Sequence, residues 1–467
     1  MTFAETALPP LSLKRPPAPM PRTTPMSPIG LLFALRENPV ETWTRWHYEL
    51  PILTGDSVLG RVCVVNDPAS LRHILVDNAA NYRKDALQRR VLAPGLGNGL
   101  LTAEGDEWRA QRRALASLFT PRTVAGFSEA MRASADWLMA RWEGLRNGRR
   151  IDASAEMAHV TLDVLERTIF SSGLGADPSV FSEGLTRYFN TVGRIDPLDV
   201  LDMPSWIPRI GRIRAKPTLD LFARTIDDLI AARREAMAQD PESAPRDLLT
   251  ALINARDPQT GAGLSEPEIR ANVITFIGAG HETTANTLSW SLFLLSEHPA
   301  WRARLEAEAD AALPEGHFPE GGLERLVETR AVIEEALRLY PPAATLSREA
   351  IGPDHIMGRT IRAGTTVVIA PWVLQRHKLL WANPDLFDPS RFLPGARETI
   401  DRFAYLPFGA GPRVCIGQSF AVQEATIILA TILRHYRLDL APGHVVTPQQ
   451  RVTLRPKGGL PMMLHRR

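Results

Sequence analysis

The feature that most constrains this chain is one long helical stretch lying between Ser265 and Pro299. Ser265 and Glu268 form a capping box, and Pro267 sits in the first turn, where a missing N–H costs nothing. His298-Pro299 sets the far end, because proline disfavours helix at the residue before it. The stretch runs for about 30 residues, roughly 45 Å at 1.5 Å per residue, enough to cross a whole molecule. Its apolar part, Val273 to Leu295, is interrupted by His281, Glu282, Thr283, Thr284 and Asn286. A carboxylate at a bilayer centre costs roughly 2.5–3.5 kcal/mol, and no basic cluster flanks the run. The reading is a helix buried in protein, and the fold has to be built around it.

The rest of the chain fits such a body. Periodicity is helical nearly throughout from Glu104 to about Asp310, broken near Asp196–Pro217 by Pro197, Pro204, Pro208 and Pro217. A further helix runs from about Ser419 to His435, and β-like runs occur at Val58–Asn66, Thr365–Ile369 and Met462–Leu464. Asp67-Pro68 reads as an N-cap followed by the first helical residue. Gly95-Leu96-Gly97-Asn98-Gly99 resembles a phosphate-cradling loop only superficially, since no suitable strand precedes it and no helix starts on it. It reads as a flexible loop. With 467 residues, no internal repeat and no linker, the expectation is one mainly α domain over residues 29–467 with small sheets attached. Residues 1–28 carry eight prolines and no apolar core of the secretory type, which predicts an extended, mobile leader.

Composition excludes several classes. A net charge of +2 offers nothing to a polyanion, so nucleic acid is not a partner. Two cysteines, Cys63 and Cys415, make no disulfide framework and suit a reducing cytoplasm. Ile29–Leu35 is too short to cross a bilayer, so no stable membrane anchor is expected.

Cys63 lies in an apolar β run and reads as a core residue. Cys415 is different. It sits in Phe408-Gly409-Ala410-Gly411-Pro412-Arg413-Val414-Cys415-Ile416-Gly417, where glycines and a proline make a tight turn whose backbone N–H groups can point at one sulfur. Those donors, Arg413 and the N-terminus of the following helix all favour thiolate over thiol. One cysteine so presented suits a single metal bond, and an axial thiolate on haem iron is the natural candidate. In the long helix, Ala279 and Gly280 leave room for a ligand against the backbone or for another helix. Glu282 and Thr283 then place an acid beside a hydroxyl, a proton-delivery pair. Glu335 and Arg338 share a helix face three residues apart. In Trp108-Arg109-Ala110-Gln111-Arg112-Arg113, Trp108 and Arg112 share one face and Arg109 and Arg113 the next.

In this order and at these spacings the stretches resemble the cytochrome P-450 superfamily of haem-thiolate monooxygenases, soluble bacterial type, over nearly all the chain after the leader. The resemblance implies a triangular prism of about a dozen or more helices with small β-sheets, the haem (haem b, iron protoporphyrin IX) lying between the long helix and the cysteine loop. It makes Cys415 the metal ligand, Phe408 the aromatic under the porphyrin, and Trp108, Arg112, Arg348 and Arg413 the propionate-binding groups, with Ala279, Gly280 and Gly417 also at the cofactor. Glu335, Arg338 and Arg391 resemble the structural triad. Thr283 and Glu282 resemble the alcohol and acid that supply protons during reductive activation of O2. By the same analogy the pocket is lined from Leu92–Leu101, Tyr188–Arg214, Phe276 and Ala279, Ala344, Thr345 and Leu346, and the Leu460–Met462 turn. The mostly apolar lining implies a hydrophobic substrate: fatty acid, terpenoid or aromatic. Arg187 and Arg194 are read as surface residues in preference to anchors for a substrate carboxylate. Electrons are expected from NAD(P)H through a separate ferredoxin or flavodoxin-type donor, docking on Arg109 and Arg113 of a monomer. A peroxide-driven peroxygenase, a gas sensor and a haem-free partner-recruiting relative are the rivals. Glu282-Thr283 counts against the first two and Cys415 against the third.

Overall fold

The structure is a computed structural model that describes residues 14–57, 60–171, 196–200, 203–204, 206–242, 244–314 and 322–467. The long helix is Glu266–Glu297, begun by the expected capping box and ended at His298. It is buried along most of its length because other helices wrap it, chiefly Ala153–Leu165, Val327–Leu339 and Gln418–His435. Trp290 on this helix stacks on Tyr340, with ring centroids 3.9 Å apart, inside a core that also buries Trp142, Trp301 and Trp372.

Among the described residues, four small sheets are attached. The largest has the strand order Ile52–Ser57, Gly60–Val65, Thr366–Ile369, Leu346–Ala350, Tyr82–Arg83, with only Gly60–Val65 and Thr366–Ile369 parallel. It carries its own core, in which Cys63 is buried and its thiol pushed up to about 11 by desolvation. That is an inert thiol. A second sheet joins Arg149–Asp152, Pro461–Arg466 and Tyr436–Leu440. Asp67 caps the helix Pro68–Arg72 as read, accepting from Ser70 N at 2.8 Å.

Three expectations change. The proline-rich break is shorter than Asp196–Pro217: a helix runs Ile210–Gln239 with Pro217 inside it as the eighth residue, which costs one intrahelical bond, the one to the Ile213 carbonyl. Within the leader, the part from Lys14 is extended but held down, by Lys14 to Glu297, Arg15 to Asp385 and the Tyr340 hydroxyl donating to Pro17 O at 2.8 Å. The glycine run is not a flexible loop. Leu92–Leu96 belongs to a helix, Ala86–Leu96, and a Cβ on Gly99 would lie 2.8 Å from the Ala271 carbonyl of the long helix. These glycines serve close packing, secured by Leu100 N donating to Asn272 Oδ1 at 2.9 Å.

Candidate active site

The cysteine loop closes because Gly409 and Gly411 take φ of +72° and +74°, open to glycine at no cost. A Cβ on Gly411 would strike the Leu75 carbonyl, so the loop rests directly on the segment His73–Asp77. Cys415 N donates to Phe408 O at 2.9 Å and Val414 N to Gly411 O at 3.0 Å. Cys415 presents free surface. It nevertheless lies deep enough for burial to raise its thiol pKa, while the Gly417 N–H and the Arg112 guanidinium pull the other way by favouring thiolate. Its open face therefore looks inward. The long helix shows the same sign at its centre: Ala279 presents open surface although Phe276, Ile277, Gly278 and His281 around it are buried.

Beside the loop is an excess of cations. Arg413 donates to Glu104 Oε2 at 2.5 Å and lies over the Trp108 ring at 4.1 Å. Burial brings Arg413 down to about 10 and Lys84, held by the Leu100 and Leu101 carbonyls, down to about 7. Arg348 is half-buried nearby and donates to the neighbouring Ser347 O at 2.7 Å; its charge is disfavoured by desolvation and countered by Glu104 and Asp85. Such a cradle fits the paired carboxylates of a planar macrocycle. Lys84 and Glu104 were not singled out from the sequence. No motif marks them, since their positions follow only from how the sheet meets the arginine helix Gly105–Ala116.

On the long helix the Thr283 hydroxyl donates to Ala279 O at 2.7 Å. Glu282 turns to the C-terminal hairpin, 3.5 Å from Arg455, with burial raising its pKa and Thr453 and Arg455 offsetting that. Gly280 is a correction. A Cβ there would sit 3.1 Å from Leu165 Cδ2, so its small size lets the helix Ala153–Leu165 approach and does not make room for a ligand. Ala344 and Leu460 have no accessible surface and pack in the core, so they line no pocket; Phe276, Thr345 and Leu346 keep some. Residues 188–195, with Arg187 and Arg194, lie outside the described residues.

Glu335 and Arg338 are both fully buried, bonded at 2.6 and 2.8 Å. Arg338 also donates to the carbonyls of Gln375, Pro384 and Leu386, and Glu335 accepts from Asp388 N. Arg391 stands 3.9 Å off, so it is the loose member of the triad. Gln375 completes the link, accepting from Leu406 N at 2.9 Å just before the cysteine loop. Arg113 departs from expectation: it grips the buried Asp257 with two bonds of 2.7 and 2.6 Å and is not available to a partner, whereas Arg109 meets only the exposed Asp106.

Glu424, on the helix after the loop, is fully buried, and desolvation holds its carboxyl well above the usual range despite Thr284. A carboxyl raised on folding is stabilising only below its unfolded pKa and costs stability as pH rises past it. Glu424→Gln is therefore expected to raise the unfolding free energy by about 1–3 kcal/mol at pH 8 and to change little at pH 4. Equal effects at both pH values in thermal melts would show that the carboxyl ionises normally.

A cysteine turned inward in its loop, with cations at its side, fits a haem-thiolate site. A family model described as Cytochrome P450 matches residues 19–462. The chain belongs to the cytochrome P450 family and is a haem-thiolate monooxygenase. It is 34% identical over 429 residues to pentalenene oxygenase of Streptomyces avermitilis, covering 91% of this chain and 87% of that protein. It is 31% identical to the chloroplastic protein LUTEIN DEFICIENT 5 of Arabidopsis thaliana over 81% of this chain, but spans 66% of that longer protein. Among solved structures, the heme domain of cytochrome P450DA superposes with a TM-score of 0.84 at 26% identity, covering 96% of this chain and 98% of the other. No helix among the described residues is long and apolar enough to cross a membrane.

Proposed function

We propose that the chain hydroxylates a hydrophobic small molecule of terpenoid type, with O2 as cosubstrate and electrons passed from NAD(P)H through a separate ferredoxin or flavodoxin-type carrier. The observation that carries the reading is Cys415, held inward by its loop with Gly417 N–H and Arg112 favouring thiolate. Haem bound there, with Cys415 as its thiolate ligand, would supply the oxidising chemistry. The protein's residues do the rest. Arg112, Arg348, Arg413 and Lys84 hold the propionates, with Trp108 stacked on Arg413. Phe276, Ala279, Thr345 and Leu346 keep the substrate side apolar. Thr283 offers a hydroxyl to the same space, and Glu282 resupplies its proton from the hairpin side. The terpenoid class is favoured by two relatives, named pentalenene oxygenase and cyclooctat-9-en-7-ol 5-monooxygenase. Exposed Arg109, beside the Trp108–Arg413 stack, suits an acidic carrier.

The test is the absorption spectrum of the purified protein, reduced with dithionite and exposed to carbon monoxide. A long-wavelength Soret band in the wild type that disappears in Cys415→Ser is expected. An unchanged band in that variant would remove Cys415 as ligand, and turnover with peroxide alone at the reductase-driven rate would replace the carrier-fed reading.

A further inference from the structure

Gln111, on the helix Gly105–Ala116, and Asn272, on the long helix, are polar side chains with no exposure to water. They meet each other: Asn272 Nδ2 donates to Gln111 Oε1 at 2.9 Å and to the Glu268 carbonyl at 2.9 Å. Gln111 Nε2 donates to Asn98 O at 3.0 Å and to Glu268 Oε1 at 3.3 Å. Asn272 Oδ1 accepts from Leu100 N at 2.9 Å. Each amide thus uses both donor hydrogens and its oxygen, and together they tie three separate pieces of the chain. A buried hydrogen-bonded pair adds little net stability, because it replaces bonds to water. It is costly only in an arrangement that leaves a member unpaired, so what it supplies is registry.

The piece held in register is the segment Gly97–Leu101. Its other side is pinned as well: Lys84 Nζ donates to the Leu100 carbonyl at 3.2 Å and to that of Leu101, and Thr102 Oγ1 donates to Gly97 O at 2.6 Å. Gly99 lies so close to the long helix that a Cβ would come within 2.8 Å of Ala271 O and of Thr275 Oγ1. Thr275 is followed by Phe276 and, one turn on, by Ala279, so the segment is set down at the edge of the open centre of that helix. At the far end of the same contact, Gln111 is the chain neighbour of Arg112, whose charge favours the Cys415 thiolate.

We propose that Gln111 and Asn272 are positioning residues for the reaction, fixing Gly97–Leu101 as a rigid wall of the substrate space that selects substrates by shape. The inference rests on the reading of Phe276 and Ala279 as the substrate side of the site, and adds that the wall beside them does not yield. A molecule that this wall would have to bend to admit is turned away, and one that fits is held in a single orientation.

Amide exchange, azole binding and thermal melts of the full-length haem protein test it. In the wild type, exchange across Asn98–Thr102 is expected to be slow. There 1-phenylimidazole and 4-phenylimidazole, titrated by their Soret shift, should bind with affinities at least about tenfold apart. Asn272→Leu leaves the Gln111 oxygen and the Leu100 N–H without their partners. It is expected to lower the melting temperature, speed the exchange and bring the two affinities within about threefold of each other. Adding Gln111→Leu removes one of the buried orphans, so the melting temperature should recover in part while the discrimination stays lost. A variant that keeps the wild-type discrimination, or regains it together with stability, shows that the amides act only on the fold and overturns the proposal. So does fast exchange in the wild type, or equal binding of the two azoles by it, and neither needs a variant that folds. The azoles require haem whatever the natural substrate is, so a wrong substrate class leaves this test standing, whereas a missing thiolate band with carbon monoxide removes the site itself.

Discussion

Replacing Glu335 by alanine is expected to lower the unfolding free energy by about 3–5 kcal/mol, because it leaves the Arg338 guanidinium charged and unpaired at the centre of the protein. Both side chains are fully buried and share two short bonds. Arg338 cannot turn to water, since three carbonyls from Gln375, Pro384 and Leu386 hold it in place. The loss should also reach the site. Asp388 N loses its acceptor, and Gln375, which Arg338 positions, holds Leu406 just before the cysteine loop. Thermal melts and haem content of the purified variant measure the two effects. A change below about 1 kcal/mol would mean that the pair is no more than the surface ion pair its spacing alone suggests. Arg391→Ala should cost much less, as its nitrogen lies 3.9 Å from Glu335 and is only loosely engaged.

Thr283→Ala is expected to cut hydroxylated product by about 10²-fold or more with reductant consumption largely maintained, the reduced oxygen leaving as peroxide. The Thr283 hydroxyl presently donates to Ala279 O, so it is held at the open centre of the long helix. Glu282→Gln should give a similar loss but with a different signature. Glu282 stands at the hairpin beside Arg455, so as the supplier of a proton to Thr283 its removal should slow turnover itself and flatten the alkaline limb of the pH profile, where its raised carboxyl would otherwise lose its proton. Product and peroxide measured together separate the two. Full coupling in Thr283→Ala would remove the hydroxyl from proton delivery, and an unchanged pH profile in Glu282→Gln would remove the carboxylate.

The legible parts were those with a local cause. The long helix was bounded correctly because a capping box and a proline act within one turn of where they stand. The cysteine loop was legible because two positive-φ glycines, a proline and a single cysteine leave few alternatives. Gly280 was not, since a glycine that admits a ligand and one that admits a helix look alike until Leu165 is seen against it. Arg113 was misplaced for the same reason: its spacing from Arg109 says which helix face it shares but not that Asp257, distant in the chain, is buried beneath it. Lys84, Glu104 and Gln375 carry no motif, yet they surround the loop through contacts made from three separate parts of the chain.

By itself, then, the sequence determined the elements and the chemistry on offer: a helix too polar at its centre for lipid, and a thiolate loop that suits one metal bond. Tertiary structure alone decided which charges are paired and which glycines are spent on packing. Caps, turns and periodicity act over a few residues and can be read from order. Burial and pairing depend on what another part of the chain brings alongside, and order does not record that.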